Sequence, residues 1–139
     1  MPQVGGTSIP GVVLMGSDGS ISGSLSVMPT LSIANGASLS PGVDLATNHL
    51  TAIQIPAAWT AAALTFQGSW DGNTYGNVYD GVTGAELTIA SAIVLANAMI
   101  VLDPVKFRGL RFIKVRSGTQ AAPVNQAAQR DLKLTVVGR

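Results

Sequence analysis

The stretch Ala63–Asp80, ALTFQGSWDGNTYGNVYD, decides the fold. Leu64, Phe66, Gly68 and Trp70 fall on one side of an extended chain, and Thr65, Gln67 and Ser69 on the other. This period-2 alternation predicts a half-buried strand with Trp70 in the core. Asp71-Gly72-Asn73 comes next, and Asp-Gly between two strand-like runs predicts a hairpin, because Gly takes positive φ at little steric cost. Tyr75 and Tyr79 extend the aromatic surface on the return strand. Four of the seven aromatic residues of the chain lie in these positions.

Upstream, Leu31 and Ile33 lead to Asn35-Gly36 and Leu39, the pattern of a hairpin or of a strand with a sharp corner. Val43–Pro56 reads as a strand with Ile53 and Ile55 inward and Pro56 ending the ladder. Ala57–Ala62 then crosses one end of the core with Trp59 as a plug. Downstream, Val82-Thr83-Gly84 is a turn and Glu86–Ala90 a short strand. Ala90–Leu102 reads as two strands around Ala96-Asn97-Ala98, and Asp103–Gly109 as one helical turn closed by Gly109. Arg111–Arg116 places Ile113 and Val115 on one face and Phe112, Lys114 and Arg116 on the other. After a long 117–129 loop, the last strand points Leu132, Leu134 and Val136 inward, with Asp131, Lys133 and Thr135 outward. About eight short strands with closely spaced turns predict an all-β, antiparallel β-sandwich of jelly-roll or Greek-key type over residues 29–139.

Residues 1–28 differ in kind. They are rich in Gly, Ser and Pro, and only Val12-Val13-Leu14-Met15 forms a compact apolar patch. Such a segment cannot bury enough surface to fold alone. It is expected to be an extended N-terminal arm whose apolar pieces add to a neighbour's sheet edge.

The 139 residues are the size of one domain, and 47% are hydrophobic. Charged residues make up only 11%, against roughly 25% in soluble domains. A surface so thinly charged points to cover by copies of the chain or by a partner. The net charge of +1 hides a division: all eight Lys and Arg residues lie from Lys106 onward, and six of the seven acids precede them. Opposite charge on the two parts suits strand pairing within one fold or head-to-tail mating of subunits. Lys114 and Arg116 share a strand face, but without the dense basic clustering of a nucleic-acid surface. There is no cysteine, hence no disulfide framework. No signal peptide is legible, and the apolar run Ala90–Leu102 is too short to span a bilayer.

No catalytic constellation emerges. His49 is the single histidine, read as an exposed loop residue; Asp44 is near in sequence, but no serine elbow accompanies them. Asp71 with Asp80 or Glu86 would be the carboxylate pair of a glycosidase, yet Asp at β turns ordinarily forms the turn. Oxygen ligands at Asp71, Asn73 and Asp80 do not match a calcium-loop spacing. The expectation is no enzyme, no metal and no cofactor. Tyr75 and Tyr79 beside Asp71, Asn73 and Asn77 do combine aromatic faces with short polar groups, as a carbohydrate-binding tip would.

Two segments, LTAIQIPAAWTAAALTFQGSWDGNTYGNVYD (residues 50–80) and VLDPVKFRGLRFIKVRSGTQAAPVNQAAQRDLKLTVV (residues 101–137), carry a resemblance. Within them Ile55-Pro56-Ala57-Ala58-Trp59, Asp103-Pro104 with Phe107, and Lys114–Thr119 are the most specific pieces. The chain resembles small structural proteins encoded in the virion-gene clusters of tailed bacteriophages, over roughly Ile33–Val137. It departs from their pattern in the apolar run Ala92–Met99. The resemblance implies a β-sandwich virion component and leaves its station on the particle open. The expected location is the outer surface of the head, after synthesis in the bacterial host cytoplasm. The expected role is a capsid decoration (cement) protein that bridges major capsid protein subunits as a homotrimer, with Val12, Val13, Leu14 and Met15 as contacts. The alternative is a head-fibre or tail-associated module that binds a host glycan through Asp71, Asn73, Tyr75, Asn77 and Tyr79.

Overall fold

A computed structural model of the chain describes residues 28–138. Eight strands form there: β1 (Thr30–Ile33), β2 (Val43–Asp44), β3 (Asn48–Gln54), β4 (Leu64–Ser69), β5 (Gly76–Asn77), β6 (Met99–Val101), β7 (Phe112–Ser117) and β8 (Arg130–Gly138). They make two antiparallel four-stranded sheets, ordered β1-β8-β3-β6 and β2-β7-β4-β5. The expected arm at residues 1–28, with Val12–Met15, lies outside the described residues except for Met28.

The pairing has a simple logic. β1 pairs with β8, β2 with β7, β3 with β6 and β4 with β5, so each strand meets its mirror partner about the β4–β5 connection. Lateral pairings of β3 with β8 and β4 with β7 complete the sheets. Every connection except β4–β5 crosses from one sheet to the other. The chain therefore behaves as one long hairpin, doubled over so that its apex is the Asp71 loop. Asn35-Gly36 is accordingly a corner and not a hairpin: the chain leaves β1 and Leu39 bridges Arg116 of the opposite sheet.

Alternation places the core as read. Leu132, Leu134 and Val136 are buried while Asp131 and Lys133 are exposed. On β3 a bulge between Leu50 and Ala52 shifts the phase, so that Leu50 before it and Ile53 after it both face inward. Leu64, Phe66, Ile113 and Val115 line the second sheet, and the residues of both sheets belong to one apolar cluster. Asp103 caps the single 3-10 turn Pro104–Phe107 by accepting the Val105 N–H, and this delivers Phe107 to the core. Phe107 meets Phe66 edge to face, ring centroids 5.1 Å apart. Trp59 packs half-buried against the cluster, the plug expected of it.

Five expectations change. Val43–Pro56 is not one strand but two, β2 and β3, in different sheets. Trp70 is 86% exposed, not core. The ladder of β4 ends at Ser69, whose hydroxyl accepts the Gly72 N–H at 2.9 Å and turns the chain before Trp70 can take an inward position. Leu110 fills the space over Gly68, where an added Cβ would stand 2.8 Å from it. His49 is on β3 and only 9% exposed, not in an open loop. Of the two strands expected in Ala90–Leu102, only the second exists as β6. The first half closes local turns instead, with Ile93 and Val94 N–H groups bonded to Ala90 and Ser91 carbonyls. The Glu86–Ala90 strand reduces to isolated bridges, Tyr79 to Glu86 and Leu64 to Ile89, along the second sheet's edge.

Gly118 and Gly36 both adopt positive φ, at 93° and 78°. A Cβ at Gly118 would lie 2.5 Å from the Ala122 carbonyl oxygen and 2.6 Å from the Val124 nitrogen, whereas nothing stands within 4 Å at Gly36. Gly36→Ala is expected to cost about 1–3 kcal/mol from backbone strain alone. Gly118→Ala should cost clearly more in urea unfolding, because backbone atoms must also move; equal costs would contradict the clash.

Candidate functional site

The apex loop is built from its first carboxylate. Asp71 Oδ1 accepts the Asn73 N–H at 2.8 Å, the Thr74 N–H at 3.0 Å and the Ser69 hydroxyl at 2.9 Å. These bonds, led by those from Thr74 and Asn73, hold the Asp71 carboxyl below its ordinary pKa. Gly72, at φ 79°, lies against the Phe112 ring, which carries the Arg111 guanidinium 5.0 Å from its centroid. Tyr75 lies under the Lys114 ammonium, 4.3 Å from the ring centroid, and its hydroxyl occupies the space a side chain at Gly42 would need.

The remaining tip residues serve a buried cation. Arg116 is 7% exposed, and its guanidinium donates to Glu86 at 3.2 Å, Asn77 at 2.7 Å and Thr65 at 3.4 Å. Glu86 also accepts the Gln120 N–H. The Tyr79 hydroxyl donates to Gln120 Oε1 at 2.5 Å. Asn77 and Tyr79 are thus tied into the scaffold, and Asp71 is engaged as a turn cap. Of the five residues expected at a ligand tip, Asn73 and Tyr75 keep their side chains clear of any hydrogen bond to the fold, and Tyr75 is engaged by the Lys114 ammonium.

The residue missed is Trp70. Its exposure puts a whole indole face at the loop's shoulder. The signal was available in Ser69-Trp70-Asp71-Gly72, since a serine two positions before an aspartate can close a local turn and end the strand early.

The other candidate groups are occupied elsewhere. Asp44 pairs with Arg111 at 3.1 Å and accepts the Ala46 N–H, and His49 Nδ1 is buried without a partner, so no acid orients that imidazole. Asp80 pairs with Lys106 at 2.9 Å and Glu86 with Arg116, which leaves no facing carboxylates of the kind a glycosidase uses. Among the described residues no group of three or more His, Cys, Asp or Glu side chains could hold a metal. No helix there is long and apolar enough to cross a membrane.

A second surface is apolar. Beside β6, a groove of about 380 Å³ runs between Ile100–Leu102 and Leu87–Ala90, with Phe66 and Phe107 at its floor. Ile93 and Val101 of its lining stand exposed, as do Leu95, Met99 and Val105 of the same stretch of chain. The sequence hid this surface because an apolar run reads as core by default.

The chain matches no family model, no curated protein and no solved structure.

The loop cap gives a pH test. Because the folded Asp71 pKa is depressed, its contribution is present above the unfolded value of about 3.9 and lost as pH falls through the folded one. Asp71→Ala should therefore lower the urea midpoint by a constant amount near neutral pH, with the gap closing below about pH 4 as the wild-type carboxylate protonates. A gap that does not change with pH would contradict the cap.

Proposed function

We propose that the chain is a structural protein of a tailed-bacteriophage virion, folded as a jelly-roll sandwich. It decorates the outer head surface and bridges neighbouring major capsid subunits as a homotrimer. The jelly-roll reading is supported by the mirror pairing of the eight strands about one apex, with all but one connection crossing between sheets. A chain doubled in this way is what rolling a long hairpin into two sheets produces. Residues 1–28 serve as the anchoring arm in this reading.

One observation carries the function. In a chain with only 11% charged residues, the described residues expose nine large hydrophobic side chains, five of them between Ile93 and Val105. The three ion pairs among the described residues are Lys106 to Asp80, Arg111 to Asp44 and Arg116 to Glu86. Each joins the basic late part to the acidic early part, so the charge division closes the domain on itself. Arg108, Asp131 and Lys133 remain as scattered exposed charges, and the exposed large hydrophobic side chains supply a contact surface suited to a protein lattice. The ion pairs of Asp44, Asp80 and Glu86, and the absence of an acid on the His49 Nδ1, support a role without catalysis.

The experiment is co-sedimentation of purified protein with capsids that lack it. Saturable binding at a fixed ratio to capsid subunits, with a trimer in the free protein, is expected. A monomer that stays in the supernatant would overturn the reading.

Trp70 favours a second reading, a head-fibre or tail-associated module that binds a host glycan. A fully presented indole on a loop fixed by Asp71 offers a flat apolar face of the kind a sugar ring stacks on. Here Trp70 takes the part first expected of Tyr75 and Tyr79. A glycan array should show binding by the wild type that Trp70→Ala abolishes and Tyr79→Phe retains; no binding by the wild type would end this alternative.

A further inference from the structure

The groove beside β6 is also an open sheet edge. β6 pairs with β3 on one side only and is the last strand of its sheet. Its inner bonds run through Ala98, whose carbonyl accepts the Ile55 N–H, and Leu102, whose N–H donates to the Thr51 carbonyl. By antiparallel alternation, the backbone groups of Met99 and Val101 face away from β3, along the free edge. Their side chains are exposed as well, Val101 at 82%. Across the groove stand Leu87 and Ile89, with the aromatic pair of the core beneath. The two charged groups at its end are already engaged, Asp103 as the cap of the 3-10 turn and Lys106 with Asp80. The site thus offers unpaired backbone hydrogen-bonding groups and an apolar trough, and it offers no free charge. An extended, uncharged, apolar strand fits that chemistry.

We infer that this groove receives Val12-Val13-Leu14-Met15 of a neighbouring copy, added as a strand along β6. The inference rests on the reading of the chain as a self-assembling virion protein, and names where its arm docks. Those four residues are the one compact apolar patch in the chain preceding Met28, and Asp18 is the sole charged side chain of that part. Length admits a neighbour. β1, where the described chain begins, and β6 are the two outer strands of one sheet, three strand spacings or roughly 14 Å apart. The connector of residues 16–29 reaches up to about 46 Å when extended, far more than its own groove requires. Such a contact is heterologous, one copy's arm in the next copy's groove, and closes into a ring when the rotation allows, as in a trimer.

Because the chain has no cysteine, engineered thiols report without background. Four variants, Val12→Cys, Val13→Cys, Leu14→Cys and Met15→Cys, are each mixed with Val101→Cys protein and oxidised. All five positions lie in the arm or on the exposed edge, so folding is preserved. The expected result is a covalent dimer of the two different chains, formed efficiently at alternate arm positions only, since a strand presents every second side chain to the same side of the sheet. No mixed dimer, or equal yield at all four positions, would overturn the inference. So would a link found only within a chain carrying both substitutions. Capsid co-sedimentation of the same variants separates the two proposals: unlinked protein that still binds capsids refutes the arm seat and leaves the decoration reading standing.

Discussion

Everything in the fold depends on two sheets sharing one apolar layer. Each sheet presents a single row of buried side chains: Leu31, Ile33, Leu50, Ile53, Leu132, Leu134 and Val136 from one, Leu64, Phe66, Ile113 and Val115 from the other. A four-stranded sheet with such a face has no stable existence in water unless something covers it. The mirror pairing makes each sheet cover the other, because successive strands are dealt alternately to the two layers. Phe66 and Phe107 meet edge to face within this layer, and the Asp103-capped turn brings Phe107 there.

Polar groups then close what the core leaves open. Arg116 emerges from β7 on the outer face of the second sheet and is buried by Glu86, Asn77 and Thr65. A buried pair of this kind adds little net stability but is costly to break, so it fixes geometry more than it supplies free energy. Gln126 does the same at the other side of the sheet. Its amide bonds both backbone groups of Thr60, the Ser117 hydroxyl and the Arg130 guanidinium, which joins the 57–62 crossing to the 117–129 loop. Both networks leave the apex loop and the β6 edge as the surfaces with unspent recognition capacity.

Much of the fold was legible because β8, β7 and β4 alternate cleanly and Asn35-Gly36, Asp71-Gly72 and Asp103-Pro104 punctuate the chain. Reading failed where a tertiary contact overrode a local pattern. Trp70 continued the alternation of Leu64 and Phe66 on paper, yet Ser69 ended the strand and Leu110 took the inward space. The bulge in β3 and the burial of His49 depend on pairing with β8, which no local window contains. Asn77 and Tyr79 are bonded to Arg116 and Gln120, partners 39 and 41 residues away in sequence that no local reading of the tip contains. The apolar run before β6 looked like core because burial and exposure share one composition, and only the edge position of β6 separates them.

The shared layer has a direct measure in native-state hydrogen exchange of the central strands β8 and β4, one from each sheet. If each sheet is stable only through the other, inward amides at Leu134 and Phe66 exchange through the same global opening, with equal free energies and equal sensitivity to urea. Exchange from one sheet at a distinctly lower free energy, while the other stays protected, would contradict a single core.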